Sequence, residues 1–398
     1  MAITTKEEGV WSVDQVYNKQ VKGDIWEYTG LTGLYSWGRN SGGQLGLNEQ
    51  HPTGSTGRSS PTQVPGKWIG HFSTGNGDCN AVFYIGKETE GTLWTWGANS
   101  YGILGQGITS PALEGVSSPV QIPGTTWAQA CGGTACYGVK TDGSLWGWGH
   151  SDNGAGGQDR TARSSPAQIE GSNYRTTDFS LCSSGNQNGW ALRTDGTMWA
   201  WGRNQNGALG QNNNTSSNYP LQIPGTTWDK LADGGSQGMA AIKTDGTLWS
   251  WGYNNVGQLG HNEQTSYSSP KQVGSDTTWR SIRMSDFAAW ATKTDGTLWT
   301  WGRNLEGVLG QGNPTPTHKS SPVQVGNATT WGEKITLAAP TSIIMKKTDG
   351  TLWSWGYNAY GTLGLNNRTT QPTPQQIPGT TWDSTGGCAT AAFATILA

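Results

Sequence analysis

The nine residues TDGTLWSWG at positions 244–252 recur, slightly altered, along the whole chain. The second tryptophan of each copy is Trp37, Trp96, Trp148, Trp201, Trp251, Trp301 or Trp355, so successive copies lie 59, 52, 53, 50, 50 and 54 residues apart. A unit this short cannot bury its own apolar side chains, and copies must stack to build a shared core. The period therefore overrides the two or three domains that 398 residues would otherwise suggest.

Each unit reads as four short strands. Asp-Gly between two alternating runs predicts a hairpin, and the positive φ angles of a type I′ turn suit that pair. It occurs at Asp142, Asp195, Asp245, Asp295 and Asp349. In Leu248-Trp249-Ser250-Trp251 the tryptophans share one face and Leu248 and Ser250 the other. Neither face carries charge, so burial on both sides is expected. A strand buried on both sides every 50-odd residues fits a sheet stacked between like sheets, which is the blade of a β-propeller. For the fifth copy the expected strands are about 228–232, 238–243, 248–251 and 270–273. Large indoles facing small residues of the neighbouring blade would interlock the ring.

The chain ends support closure. The first unit begins at its third strand, Gly33-Leu34-Tyr35-Ser36-Trp37, and the last segment, 382–398, carries two strands with no third. The fold expected is all-β, a seven-bladed β-propeller in which N- and C-terminal strands pair in one shared blade. Two regions follow: residues 1–32 as an N-terminal extension and residues 33–398 as the propeller.

The motif G-x-L-W-x-W-G-x-N-x-x-G-Q-L-G over residues 33–398 resembles the regulator of chromosome condensation repeat. That resemblance implies a seven-bladed propeller acting as a binding scaffold. The family's namesake exchanges nucleotide on a small GTPase and binds chromatin, and a secreted β-lactamase inhibitor protein shares the fold. The exchange factor carries an inserted wedge and a basic tail. Here most periods are 50–54 residues and leave no room for a wedge, with extra length only at 48–60 and 73–80. The stretch GVWSVDQVYNKQVKGDIWEY (9–28) is similar to N-terminal segments of structural proteins from tailed phages of marine bacteria.

Chemistry is hard to find in this pattern. Gly234-Gly235-Ser236-Gln237-Gly238 matches a nucleophile elbow formally, but it falls in a turn between strands rather than on a strand-to-helix turn. The five histidines are scattered, and the five cysteines (Cys79, Cys131, Cys136, Cys182, Cys388) form neither a metal quartet nor a disulfide framework. Buried free thiols are expected. No catalytic residue, metal site or cofactor is predicted. With 25 basic against 27 acidic residues and no basic run, nucleic acid is not an expected partner. Neither a signal peptide nor a membrane-spanning run of about 20 apolar residues is seen.

A binding surface remains. The residue after each Trp-Gly varies amid constant neighbours: Arg39, Ala98, His150, Arg203, Tyr253, Arg303 and Tyr357. In a closed ring these would occupy equivalent places at one end, and Arg, Tyr and His are types that interfaces favour. The third copy, GHSDNGAGGQD (149–159), loses the usual Leu, and the strand assigned to it, NYRTTDF (173–179), lacks the Trp. Residues 13–22 read as a short amphipathic helix, and Trp11, Val13, Val16, Tyr17 and Trp26 are candidate anchors. The function expected is a non-enzymatic virion surface protein of a tailed phage, made in the host cytoplasm, binding other virion proteins or a host glycan or receptor. A bacterial interaction module or secreted inhibitor is the alternative, and an exchange factor follows it.

Overall fold

The computed structural model describes residues 33–396 apart from 50–56, 67, 73, 76–80, 88–90, 110–114, 178–180, 184–186, 233, 234, 236, 313–316, 340, 380, 389 and 390. The extension 1–32, with its expected helix and anchors Trp11, Val13, Val16, Tyr17 and Trp26, lies outside the described residues, as do Gly234 and Ser236 of the elbow-like motif. The fold is an all-β propeller. The described strands form seven sheets, and the described helical turns are three short 3₁₀ segments. In the fifth sheet Trp228–Leu231, Gly238–Lys243, Leu248–Gly252 and Tyr267–Gln272 pair antiparallel in that order, with the first strand innermost and the last outermost. The outer strand begins three residues earlier than its Pro270 predicts.

The Asp-Gly hairpin is not type I′. That turn needs positive φ at both central residues, and only Gly246 (φ 77°) has it, as do Gly143, Gly196, Gly296 and Gly350 in the other copies. Gly246 N donates to Lys243 O and Lys243 N to Thr247 O, which makes a three-residue loop closed by a left-handed glycine. Asp245 serves as an acceptor instead: Thr247 N and Oγ1 donate to its Oδ1 at 3.0 and 2.6 Å.

The apolar core lies between sheets rather than within them. Seven buried clusters each join two successive sheets, for example Trp190, Leu192, Met198 and Leu209 of the fourth with Trp228, Met239 and Trp251 of the fifth. Within each gap the second tryptophan of one sheet donates its indole N–H to a loop carbonyl of the preceding sheet. Trp251 bonds Ala208 O, Trp96 bonds Gln44 O, and all seven such bonds measure 2.8–3.2 Å. The loop must come very close to the ring. At Gly260 (φ 80°) a Cβ would stand 2.9 Å from Trp301 Nε1, so only glycine fits. Burial of the strand is less even than its sequence predicts. Leu248, Ser250 and Trp251 are buried, whereas Trp249 is only half-buried, because it lies near the end of the sheet.

Both termini of the propeller enter one sheet, in the order Arg58–Gln63, Gly33–Gly38, Ala391–Ile396, Trp382–Cys388, with Gly33 opposite Ile396. Two local departures shape the molecule. Thr74 and Gly75, in the long 73–80 insertion, pair parallel with Cys131 and Gly132, so the second sheet lends a fifth strand to the third. Tyr174, in the Trp-less stretch, belongs to the fourth sheet, whose described inner strand is Leu181–Ser183. Tyr174 replaces the tryptophan there and bridges Arg193 in the register that Trp228 makes with Lys243.

Candidate functional site

The strand directions give the propeller two unlike ends, one bearing the Asp-Gly turns and the other bearing the loops that follow Trp-Gly. At the Asp-Gly end, a relay repeats five times. Trp249 Nε1 donates to Thr247 Oγ1 at 2.9 Å, and that hydroxyl donates to Asp245. The same chain links Trp146–Ser144–Asp142, Trp199–Thr197–Asp195, Trp299–Thr297–Asp295 and Trp353–Thr351–Asp349. The hydroxyl bond, then the backbone N–H, holds these carboxyls below the ordinary aspartate range. The aspartates are thus consumed by turn geometry.

A cation completes each relay. Lys243 Nζ lies 4.0 Å from the Trp249 ring centroid and 4.9 Å from that of Trp228. Lys140, Lys293 and Lys347 take the same place between paired tryptophans, and Arg193 lies between Trp199 and Tyr174. Sequence reasoning missed these residues, although K-T-D-G is visible in four copies and R-T-D-G in a fifth. In these five copies the ring faces that a sugar or an external cation would need are occupied from within.

At the opposite end the variable residues stand on a rigid loop frame. The asparagine two positions after Trp-Gly accepts the backbone N–H of a leucine five residues on, as in Asn254 Oδ1 with Leu259 N (2.9 Å), and six copies do this at 2.9–3.1 Å. In the third copy Ser151 substitutes, accepting from Gly156 N at 3.1 Å and donating to Asp159 O at 2.7 Å.

On this frame two of the residues after Trp-Gly, Arg39 and His150, meet a residue from the preceding sheet. Tyr360, in the loop of the seventh sheet, lies under Arg39 of the first, with the guanidinium carbon 5.1 Å from the ring centroid, and Tyr357 meets Tyr360 edge-on at 6.2 Å. Tyr101, from the second sheet, stacks edge-on against His150 of the third at 4.3 Å. His150 is consequently buried, with 7% of its surface exposed, rather than projecting; its Nε2 reaches Asp152 at 3.2 Å while Tyr101 itself is 52% exposed. Arg303 lies over Phe287 at 5.6 Å, Arg203 bonds Gln205, and Tyr253 is half-buried. Sequence reasoning could not see Tyr101 or Tyr360 as partners, because the contact crosses from one repeat to the next.

The innermost strands carry charge. Arg175 Nη1 pairs with Asp229 at 3.2 Å, Lys230 reaches across the Arg280 carbonyl to Glu333, and Arg280 Nη2 donates to Trp331 O at 2.6 Å. These bonds tie the fourth to the seventh sheets around the axis. Cys131 and Cys136 are buried, and neither forms a disulfide among the described residues. Among the described residues no three His, Cys, Asp or Glu side chains gather into a metal-sized group, and no helix is long and apolar enough to cross a membrane.

The chain is similar to several known proteins. It is 32% identical over 188 residues to the mitochondrial RCC1 domain-containing protein RUG3 of Arabidopsis thaliana, covering 44% of this chain and 39% of that protein. It is 28% identical over 203 residues to the ultraviolet-B receptor UVR8 of the same plant, covering 50% and 43%. It is 29% identical over 211 residues to the E3 ubiquitin-protein ligase HERC2 of Homo sapiens, covering 50% of this chain and 4% of the ligase. The matches therefore span less than half the length of these relatives. Among solved structures, human WBSCR16 superposes with a TM-score of 0.76 at 16% identity, covering 92% of this chain and 100% of that one. Prp20p of Saccharomyces cerevisiae superposes with a TM-score of 0.77 at 18% identity over 96% and 95%, and that protein is described with its binding to Gsp1p and histones. At such identities the superpositions show a common fold. The RCC1-like domain family model spans residues 33–394, and with the tryptophan-locked sheets described above it establishes that this chain belongs to the RCC1-like domain family.

Proposed function

We propose that this chain is a non-enzymatic protein-binding scaffold, its seven sheets acting as the blades of one closed ring over residues 33–398 and its partner engaged at the end that follows Trp-Gly. One observation carries the reading: a frame of repeated asparagine staples holds side chains that differ from copy to copy. Constant support beneath variable Arg and Tyr is the arrangement of a recognition surface. The similarity to Prp20p, whose described partners are proteins, supports it. Cross-linking the protein to its native partner and mapping the linked residues tests it. Cross-links concentrated around Arg39, Arg203, Tyr253, Arg303 and Tyr357 are expected; cross-links confined to the Asp-Gly turns or outer strands would overturn it.

The setting proposed for this scaffold is the surface of a tailed-phage particle, with residues 1–32 as the anchor. Its support is the similarity of residues 9–28 to phage structural proteins and the charge-poor Thr, Asn, Gly and Trp style of the chain. Mass spectrometry of purified particles tests it, and particles lacking the protein return the reading to a cellular interaction module.

A further inference from the structure

Two arginines at the Trp-Gly end have no carboxylate partner among the described residues. Arg39 is half-buried over Tyr360, its Nε is buried, and it has no hydrogen-bond acceptor among the described residues. Arg303 is half-buried near the Phe287 ring and likewise forms neither an ion pair nor a side-chain hydrogen bond among the described residues. By contrast Arg58, Arg163 and Arg175 are all paired with carboxylates.

Ring closure places these two arginines in one arc. Arg303 follows the third strand of the sixth sheet, Tyr357 that of the seventh, and Arg39 that of the first. The loop after Arg303, Leu305–Gly307, packs on strand Leu352–Gly356, which ends just before Tyr357. Tyr357 and Tyr360 then bridge to Arg39. Asp286 and Glu306 supply the acidic side chains at the same end of the sixth sheet, and Arg303 is ion-paired to neither.

We infer that the arc Arg303–Tyr357–Tyr360–Arg39 binds the carboxylates of an acidic peptide segment, which rests on the scaffold reading above and names its partner's chemistry. An arginine fork takes a carboxylate bidentately, and a ring beneath the guanidinium fixes its plane before the ligand arrives. The tyrosines between them offer apolar contact and a hydroxyl at low entropic cost. A phosphate backbone presents the same anionic chemistry. It calls for a row of basic residues, however, and this chain carries two such arginines and a net charge of −2.

Fluorescence anisotropy with a short labelled peptide of glutamate and glycine tests the inference, with the lysine–glycine peptide and a labelled single-stranded oligonucleotide as alternatives. The glutamate peptide is expected to bind and to weaken with rising salt. Arg39→Ala and Arg303→Ala should each weaken it about tenfold. Arg39→Lys should fail to restore it, Tyr360→Leu should weaken it with both charges kept, and Arg160→Ala, in the bend before the third sheet's outer strand Arg163–Ile169, should leave it unchanged. Circular dichroism of each variant shows whether it is folded, and Tyr360→Leu and Arg39→Lys report even if an alanine variant is not. No binding of the glutamate peptide, binding equal in the arginine variants, or tighter binding of the oligonucleotide would overturn the inference. A partner cross-linked elsewhere on the same end would overturn it while leaving the scaffold reading intact.

Discussion

Trp37 Nε1 donates to the carbonyl of Thr362 at 2.9 Å, across 325 positions of sequence, and this bond joins the first sheet to the seventh. Trp37 is fully buried against Ile377, Trp382 and Ala392. Trp37→Ala should lose about 3–5 kcal/mol, the usual cost of emptying a large aromatic site. Trp37→Phe keeps most of the volume and orphans one buried carbonyl, which costs about 1–3 kcal/mol. Urea unfolding checks both. Because this sheet holds both ends of the propeller, Trp37→Ala should also expose 391–396 to hydrogen exchange before the fifth sheet opens.

The turn at 244–246 separates what Asp and Gly each do. Asp245→Ala removes an acceptor of two hydrogen bonds and should cost about 1 kcal/mol. Gly246→Ala meets both a positive φ of 77° and a Cβ position 2.0 Å from Thr277 O, so the connection to the next inner strand must shift. It should cost clearly more than Asp245→Ala in the same denaturation assay. If Asp245→Ala proved the worse, the hydrogen-bonded relay rather than backbone conformation would hold this hairpin.

Lys243 is held between Trp228 and Trp249, and its stem as well as its charge packs on them. Lys243→Met keeps most of the stem and removes the cation, so its cost, about 0.5–2 kcal/mol, isolates the cation–π term. Lys243→Glu should cost more. Thermal melts of the two variants check the order.

The sequence made much of this architecture legible. The period, the Trp-Gly spacing and the incomplete first and last units pointed to sheets locked by tryptophan and to terminal strands that share a sheet. What escaped it follows from physics that crosses repeat boundaries. Asp-Gly suits two kinds of hairpin, and the longer spacing between Lys243 and Thr247, not the dipeptide, decides between them. Tyr174 stands in for a tryptophan and so hid the boundary between the third and fourth sheets. His150 looked exposed by its place beside Trp-Gly, yet Tyr101 covers it from a neighbouring unit 49 positions earlier in the chain. The candidate arc over Arg303, Tyr357 and Arg39 becomes contiguous only once the ring closes.

Glu263 gives a prediction in pH. Lys271 Nζ and Tyr267 Oη both donate to its Oε1 at 2.6 Å, and these bonds, that of Lys271 first, bring its pKa down to about 2. A carboxyl whose folded pKa is depressed stabilises the fold above its unfolded pKa and loses that contribution as pH falls through the folded value. The wild-type protein should therefore lose stability between the ordinary glutamate range, near 4.5, and about 2. Glu263→Gln keeps the shape and removes the titrating group. Its difference from wild type in urea midpoint should be present at neutral pH and shrink steadily over that window. The carboxylate is solvent-exposed, so the difference should also shrink with added salt. A difference that stayed constant from neutral pH to about 2 would show that the Glu263→Gln variant loses packing rather than charge.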